Sequence, residues 1–349
     1  MIDSPLPFIF PFKKAVAKTC ALLLLLAACF VACAQVARAQ EEDETISIDA
    51  SLVQLNVGVV DRQGRPITTL TLGDFKVYEE GVQQSIQSFE PTTAPFSLIL
   101  LLDMSGSTLS FRTTLKQAAI RFLDALGPQD RVAVIGFNEK VKTLAGFSSD
   151  YEKIAYAIQY ADGKGGTELY KALSYSLQEL GKEKNRRKAI VVLTDGIDTQ
   201  MRMTDGAAVG NAQTNQAAIA SINPEQSAAL AGVLNAADRQ GVTIYPLALP
   251  SGDPKRIADP NPKQVAIYTS ARARMQALAD RTGGRLNEIR RLEDLGYLYA
   301  EVAADLRSLY TITYRPTASE PRAKGWRTIR IEVARPELVA RTRPGYFAR

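Results

Sequence analysis

The sequence predicts an α/β protein whose centre is a Rossmann-like, doubly wound parallel sheet with helices on both faces. Between residues 95 and 307, segments with the period of a strand alternate with segments of helical period. The segments 96–102 and 189–193 are predominantly apolar, as in parallel strands that are buried on both faces. The regions before and after this centre show strand periodicity alone. We expect these two regions to pair and form one small β-sandwich.

The elements of the central region follow one another in a regular order. Strand 96–102 precedes a helix whose apolar residues recur from 111 to 126, and Gly127-Pro128 ends that helix. The later elements predicted here are strand 131–137, a short edge strand 140–146, helix 169–180, strand 189–193, helix 225–240, strand 242–249, helix 270–282, strand 285–288 and helix 291–307.

Two long connections interrupt this alternation. Residues 197–223 lack clear periodicity, and residues 250–267 are rich in proline and aspartate. We expect loops in both segments that emerge on one edge of the sheet, because both follow strands. Our hypothesis is that they set partner specificity, with plain disorder as the alternative. The sequence Thr204-Asp205-Gly206 follows no strand and is also predicted to lie in a loop.

The flanking β segments alternate apolar and polar residues. Val53, Leu55, Val57 and Val59 predict a first strand with one buried face, and residues 61–66 predict a turn. A short strand at 75–79 and a hairpin at 80–81 follow, while residues 310–314 and 329–333 alternate again near the end. Neither segment has enough strands to be stable alone. We therefore expect the segment 308–349 to pair with 45–90 and the domain at 95–307 to be inserted between them.

The first residues have the features of an export signal. Three lysines, the last of them Lys18, precede the apolar run 21–31, and Ala37-Arg38-Ala39 fits a signal-peptidase site. This predicts a signal peptide at 1–39, a mature start at Gln40 and an N-terminal β segment at 40–92. The alternative is a lipoprotein acylated at Cys29, because residues 26–29 resemble a lipobox. In either case we expect a periplasmic, cell-surface or extracellular protein, attached to a membrane only by such a lipid anchor.

The net charge and the cysteine content limit the possible functions of the protein when the predicted signal peptide is excluded. The whole chain carries +5. Four basic residues and Asp3 give residues 1–39 a charge of +3, so the remainder carries 5 − 3 = +2. Such a weak positive charge gives no support to a nucleic-acid partner. All three cysteines precede residue 40, so the folded part has no disulfide.

Polar side chains that suit a metal follow three predicted elements. Asp103, Ser105 and Ser107 come directly after the first central strand, Thr167 follows two glycines before a helix, and Asp195 ends strand 189–193. In an open α/β sheet, ligands bind at the carboxyl ends of the strands, where the strand order reverses. Two carboxylates and three hydroxyls form an all-oxygen set for a hard divalent cation. Mg²⁺ suits this set best, and Mn²⁺ or Ca²⁺ are alternatives.

These residues resemble the metal-ion-dependent adhesion site of von Willebrand factor A (VWFA) domains. The resemblance implies that Ser105, Ser107 and Thr167 contact the metal directly. Asp103 and Asp195 would then bind it directly or through water, and an acidic side chain of a partner protein would take an open coordination position. Further stretches resemble the bacterial exported "VWFA-related" proteins, and these are residues 61–66, 72–75, 78–81, 314–316, 325–333 and 343–347.

The expected function is therefore protein binding by a non-enzymatic, adhesion-type module. The main rival class is an enzyme, but the chain has no histidine, which removes histidine-dependent hydrolases and histidine-bound zinc. Metal-assisted hydrolysis is the remaining enzymatic alternative. A third alternative is a structural or assembly role in the cell envelope, in which the metal only stabilises the fold. The plainest alternative for Asp103 and the serines is that they cap the strand–helix junction.

Overall fold

Strands begin and end the described part of the chain, and helices alternate with strands between them. The computed structural model describes residues 52–184, 186–317 and 325–348. The strands are β1 (Val53–Val60), β2 (Phe75–Glu79), β3 (Val82–Gln84), β4 (Ile86–Glu90), β5 (Phe96–Asp103), β6 (Arg131–Phe137), β7 (Val141–Ser148), β8 (Arg187–Thr194), β9 (Val242–Ala248), β10 (Asn287–Glu288), β11 (Leu309–Tyr314), β12 (Gly325–Val333), β13 (Val339–Arg341) and β14 (Gly345–Ala348). The α-helices are α1 (Arg112–Leu123), α2 (Tyr151–Gln159), α3 (Leu169–Gly181), α4 (Thr199–Val209), α5 (Asn215–Ala220), α6 (Ala228–Gln240), α7 (Pro262–Thr282) and α8 (Leu295–Ser308).

The central sheet has six strands in the order β10-β9-β8-β5-β6-β7. All neighbours are parallel except β7, which pairs antiparallel with β6 as the edge strand. Every residue of β5 is buried, because α1, α2 and α8 pack on one face of the sheet and α3, α6 and α7 on the other. This confirms the predicted doubly wound α/β fold. The strand order reverses at β5, which pairs with β6 on one side and with β8 on the other.

The two ends of the described chain build two further antiparallel sheets. Their orders are β13-β1-β11-β4 and β14-β12-β2-β3, so each sheet combines strands from before and after the central domain. Leu55 lies opposite Ile312 in the first sheet, and Val77 lies opposite Ile331 in the second. Apolar side chains of both sheets meet in one buried cluster, which gives the sandwich that the alternating pattern predicts.

A buried arginine holds the two connections between this sandwich and the central domain. The Arg187 guanidinium donates to the backbone carbonyls of Thr92 and Ala94 before β5, and to those of Leu306 and Leu309 at the end of α8. Arg187 begins β8, so this junction lies at the amino ends of the parallel strands. The carboxyl ends of these strands lie at the opposite edge of the sheet.

The prediction of loops at 197–223 and 250–267 is partly wrong. Helices α4 and α5 occupy much of the first segment, Thr204–Gly206 lie inside α4, and α7 begins at Pro262 rather than near 270. Capping residues explain these starts, because Asp198 accepts hydrogen bonds from the N–H groups of Gln200 and Met201 and initiates α4. Thr214 caps α5, and Asn261 forms a capping box with Gln264 at the start of α7.

Helix α2 is absent from the sequence-based expectation, although Asp150 caps it and Ile154 and Ile158 bury its inner face. The export signal at 1–39 and the lipobox cysteine Cys29 lie outside the described residues. Among the residues that the structure describes, none of the helices combines the length and the apolar character needed to cross a membrane.

Candidate metal centre

Two buried carboxylates lie side by side at the carboxyl edge of the central sheet. Asp103 is the last residue of β5, and Asp195 directly follows β8. The two strands are parallel neighbours, with Leu102 opposite Leu193. Asp103 is fully buried and Asp195 is 3% exposed. Their position is the reversal point of the strand order, where open α/β sheets bind ligands.

Hydrogen bonds from the loops fix the Asp103 carboxylate. Its Oδ1 accepts from the Ser105 N–H at 2.9 Å, and its Oδ2 accepts from the Thr194 hydroxyl at 2.7 Å. The same Thr194 oxygen accepts from the Gly196 N–H at 3.0 Å. Asp103 therefore connects the loop after β5 with the loop after β8.

The two serines extend this group of oxygens towards solvent. The hydroxyls of Ser105 and Ser107 are 3.1 Å apart, and Ser107 is exposed whereas Ser105 is buried. A hydrogen bond from Ser107 also acts on the Asp195 carboxylate. Ser105 occupies the N-cap position of the 3₁₀ turn at 106–111, yet its side chain makes no capping hydrogen bond. Simple capping does not account for this serine.

Thr167 reaches the same edge through its loop. The Gly106 N–H donates to the Gly165 carbonyl at 2.9 Å, which joins the glycine loop to the serine loop. The Thr167 backbone is held by Thr199, whose hydroxyl accepts from the Thr167 N–H at 2.8 Å. Four of the five predicted residues thus share one hydrogen-bonded group, and Thr167 lies on the adjoining loop.

Burial raises the pKa values of both carboxyl groups. Burial raises the pKa of Asp103 to about 6, and the negative charge of Asp195 adds to the effect. Burial likewise raises the pKa of Asp195, while hydrogen bonds from the Ile197 N–H and from Ser107 oppose it. Among the residues that the structure describes, no lysine or arginine forms a salt bridge with either carboxylate. The pair therefore has no direct salt-bridge partner, although the positive charges of Arg272 and Arg202 act on Asp195.

The donor set is limited to two carboxylates and hydroxyl oxygens. The described residues contain no group of three or more acidic, cysteine or histidine side chains that could hold a metal ion. An all-oxygen set with only two carboxylates suits Mg²⁺, which keeps several of its waters, better than it suits Zn²⁺. Ser107 is the exposed member of this set and faces solvent.

Arg112 is part of the site, and sequence reasoning missed it. This buried guanidinium donates to the carbonyls of Met104 at 3.0 Å and Ser105 at 3.1 Å, and to the Gly163 carbonyl at 2.7 Å. It also pairs with the exposed Asp162 carboxylate at 2.5 Å. One side chain thereby holds the serine loop and the glycine loop together. No local pattern marks Arg112, because its role depends on the approach of a loop about fifty residues later.

The glycines of the second loop permit this approach. A Cβ on Gly163 would lie 2.7 Å from the Met104 carbonyl oxygen. Gly165 has a φ of +94°, and a Cβ there would lie 2.5 Å from a carboxylate oxygen of Glu139. The two glycines therefore allow the loops to pack more closely than other residues would.

Both long connections reach this edge, as their positions after strands predict. Thr199, in the first, binds the Thr167 backbone, and the Ser251 hydroxyl, in the second, donates to the Ser107 carbonyl at 3.3 Å. The Arg272 guanidinium of α7 donates to the backbone carbonyls of Asp195 and Leu249. Arg272 is a second contributor to the site that the sequence did not reveal.

Comparison with known proteins places the site within a characterised domain type. Residues 98–197 match the family model described as von Willebrand factor type A domain, and this range includes all five predicted site residues. An uncharacterized protein, sll0103, from Synechocystis sp. is 36% identical over 106 residues, which is 29% of this chain and 25% of that protein. The chain thus spans about a quarter of the length of this curated relative.

Solved structures with a similar fold include several of the same domain type. The von Willebrand factor type A protein from Catenulispora acidiphila has a TM-score of 0.45 at 15% identity, covering 87% of this chain and 65% of that one. The vWF domain of the type V pili tip protein Mfa5 from Porphyromonas gingivalis has a TM-score of 0.44 at 14% identity, covering 61% and 95%. The pilus adhesin SpaC from Lactobacillus rhamnosus GG has a TM-score of 0.46 at 12% identity, covering 79% and 48%. The family match over residues 98–197, together with the doubly wound sheet, identifies a von Willebrand factor type A domain in this part of the chain.

Proposed function

We propose that this protein is an exported binding module that recognises an acidic side chain of a partner protein through one divalent cation. The cation is Mg²⁺ by preference, with Mn²⁺ and Ca²⁺ as alternatives, and its ligands are Asp103, Ser105, Ser107, Thr167 and Asp195. The predicted signal peptide at 1–39 supports export to the periplasm, the cell surface or the medium. The lipobox at Cys29 offers a lipid anchor as an alternative to a free mature protein.

The observation that carries the proposal is a pair of buried carboxylates that form no salt bridge with a described lysine or arginine. Burial raises the pKa of both Asp103 and Asp195, and the charges of Arg272 and Arg202 offset only part of this effect at Asp195. An uncompensated buried charge is strongly unfavourable unless a cation or a proton neutralises it. Hydroxyl oxygens of Ser105 and Ser107 adjoin the pair on the side that faces solvent. This combination fits a hard cation with one open side.

The protein's own residues prepare and orient this site. A bound divalent cation would supply positive charge against the two carboxylates and an open position for a partner's carboxylate. Thr194 orients the Asp103 carboxylate, and Arg112 holds the serine and glycine loops at a fixed distance. Such supporting hydrogen bonds keep the ligands in place and typically matter nearly as much as the ligands themselves.

Non-enzymatic binding is the best supported chemistry for this site. Without histidine, the chain lacks the commonest general base, and metal-assisted hydrolysis is the reaction class that remains open to it. A phosphatase assay at saturating magnesium tests that alternative directly, and we expect no turnover above the rate without protein.

Affinity capture tests the proposal. Purified protein is mixed with envelope extract in magnesium or in EDTA, alongside Asp103→Ala and the matched control Asp124→Ala, an exposed residue in the turn after α1. We expect one partner to be retained in magnesium by wild type and by Asp124→Ala only. Equal capture by all proteins in both buffers would contradict the proposal. It would indicate that the partner binds the sandwich, as expected for the alternative of a structural envelope protein.

A further inference from the structure

A groove of about 580 Å³ opens beside the candidate metal centre. We name it the side groove, and its lining residues are Ile197, Arg202, Met203, Gly206, Gly252, Ile257, Asn261, Lys263, Gln264 and Ile267. They belong to the loop after β8, to α4, to the connection after β9 and to the first turns of α7. This volume falls in the range of pockets that bind small ligands or a few residues of a peptide.

The side groove is both apolar and positively charged. Met203 and Ile257 are exposed within it, at 68% and 36% of their surface. The charged side chains that line it are Arg202 and Lys263, and no described carboxylate forms a salt bridge with either of them. Asp205, on the same helix as Arg202, is instead paired in the interior with Arg274 through two bonds of 2.7 Å. The groove therefore presents positive charge that the described residues leave without an ion-pair partner.

A helical glycine sets the position of the lysine. Gly206 lies in the interior of α4, where glycine costs about 1 kcal/mol relative to alanine. A Cβ at this position would lie 2.6 Å from Cε and 3.1 Å from Nζ of Lys263. Gly206 thus lets the Lys263 side chain lie across α4 and keeps its ammonium group at the groove.

The side groove is continuous with the metal centre. Ile197 lines the groove, and its N–H donates to the Asp195 carboxylate at 3.0 Å. The positive charge of Arg202 also acts on Asp195 and lowers its pKa. A peptide that placed one carboxylate at the metal centre would pass next to the groove.

We propose that the side groove binds the same partner segment whose acidic residue binds the metal. The groove contacts an adjacent apolar side chain and a second carboxylate of that segment. The apolar side chain packs against Met203, Ile257 and Ile267, and the second carboxylate pairs with Arg202 and Lys263. The recognised element is an extended acidic peptide with an apolar residue between or beside its two acidic residues. This inference rests on the metal-mediated binding proposed above.

A defined set of synthetic peptides tests this specificity. Each short peptide carries one fixed aspartate, with leucine and a second aspartate placed at each neighbouring position in turn. Control peptides replace leucine by alanine or the second aspartate by lysine. Binding to purified protein in magnesium is followed by fluorescence anisotropy. We expect the best leucine–aspartate peptide to bind about tenfold more tightly than its lysine control, a difference of about 1.4 kcal/mol.

Three groove variants and one matched control test whether the side groove causes that tenfold difference in affinity. Arg202→Glu and Lys263→Glu should remove it, and Gly206→Ala should reduce it by displacing the Lys263 ammonium group without harm to the helix. Arg121→Glu makes the same charge change on the exposed end of α1 and should leave the difference unchanged.

The outcomes distinguish binding at the side groove from binding at the metal centre. If EDTA and Asp103→Ala abolish peptide binding but the groove variants do not alter peptide preference, the groove inference is wrong and the metal-mediated function stands. If the groove variants remove the preference while EDTA has no effect, the groove binds acidic peptides on its own and the metal-mediated function is wrong. Absence of binding by every peptide in magnesium would overturn the groove inference.

Discussion

Replacing Asp103 by asparagine should stabilise the metal-free protein at neutral pH. Burial and the nearby Asp195 raise the pKa of Asp103 from 3.8 to about 6 in the folded chain. The folded state therefore holds this proton more tightly than the unfolded state does. The stability that the group contributes is fully present below pH 3.8 and is lost as the pH rises through about 6. The complete loss amounts to about 3 kcal/mol.

The asparagine variant avoids this loss but weakens one hydrogen bond. The Thr194 hydroxyl donates to Oδ2 of Asp103 at 2.7 Å, and an amide NH₂ at that position cannot accept. We assign about 1 kcal/mol to that bond, which leaves Asp103→Asn about 2 kcal/mol more stable than wild type near pH 7.5. Near pH 5 wild type is largely protonated, so the advantage should shrink by about 1 kcal/mol.

Urea unfolding in EDTA at the two pH values measures this difference. Comparison with wild type cancels the titration of the carboxyl groups that do not interact with Asp103, and Asp124→Asn, at an exposed position, is the control. Saturating magnesium should reverse the order, because only wild type gains binding energy. An Asp103→Asn variant that is less stable than wild type in EDTA at both pH values would refute the reasoning.

Three further predictions concern metal binding and the ion pair between α4 and α7. Magnesium at about 100 times its dissociation constant should raise the free energy of unfolding by about 2.7 kcal/mol, measured by calorimetry. Asp195→Ala should show no such gain. Arg112→Ala leaves the carbonyls of two loops without their donor, so metal affinity should fall about 10–100-fold by titration calorimetry, while Arg121→Ala should match wild type. Asp205→Ala leaves the Arg274 guanidinium unpaired in the interior and should cost about 3–5 kcal/mol in urea unfolding. A cost below about 1 kcal/mol would show that water reaches this pair.

The strands and the positions of the candidate ligands at their ends were predictable because local signals mark them. Parallel strands such as β5 and β8 are continuous apolar runs, and the polar residues at their ends stand out against them. Once two such strands are neighbours, chain geometry brings Asp103 and Asp195 together. The sandwich was predictable for a similar reason, since neither flanking segment has enough strands to bury an apolar face alone.

The helices that form the side groove were harder to predict. Helix α4 has few apolar residues, and most of its surface is exposed, so its periodicity is weak. Only its cap, Asp198, signals its start. The roles of Arg112 and Arg272 were not predictable at all, because each binds backbone carbonyls that the fold alone brings near. The pairing of Asp205 with Arg274 is likewise a product of packing between α4 and α7.

Titration of Mg²⁺ into EDTA-treated protein by isothermal calorimetry tests the central claim most directly. Wild type is compared with Asp103→Ala, Asp195→Ala and Thr167→Val, the last of which removes a hydroxyl and keeps the side-chain shape. The account predicts one bound ion per chain in wild type and weaker or absent binding in all three variants. Binding of equal affinity in wild type and the three variants, or no binding to wild type, would contradict it.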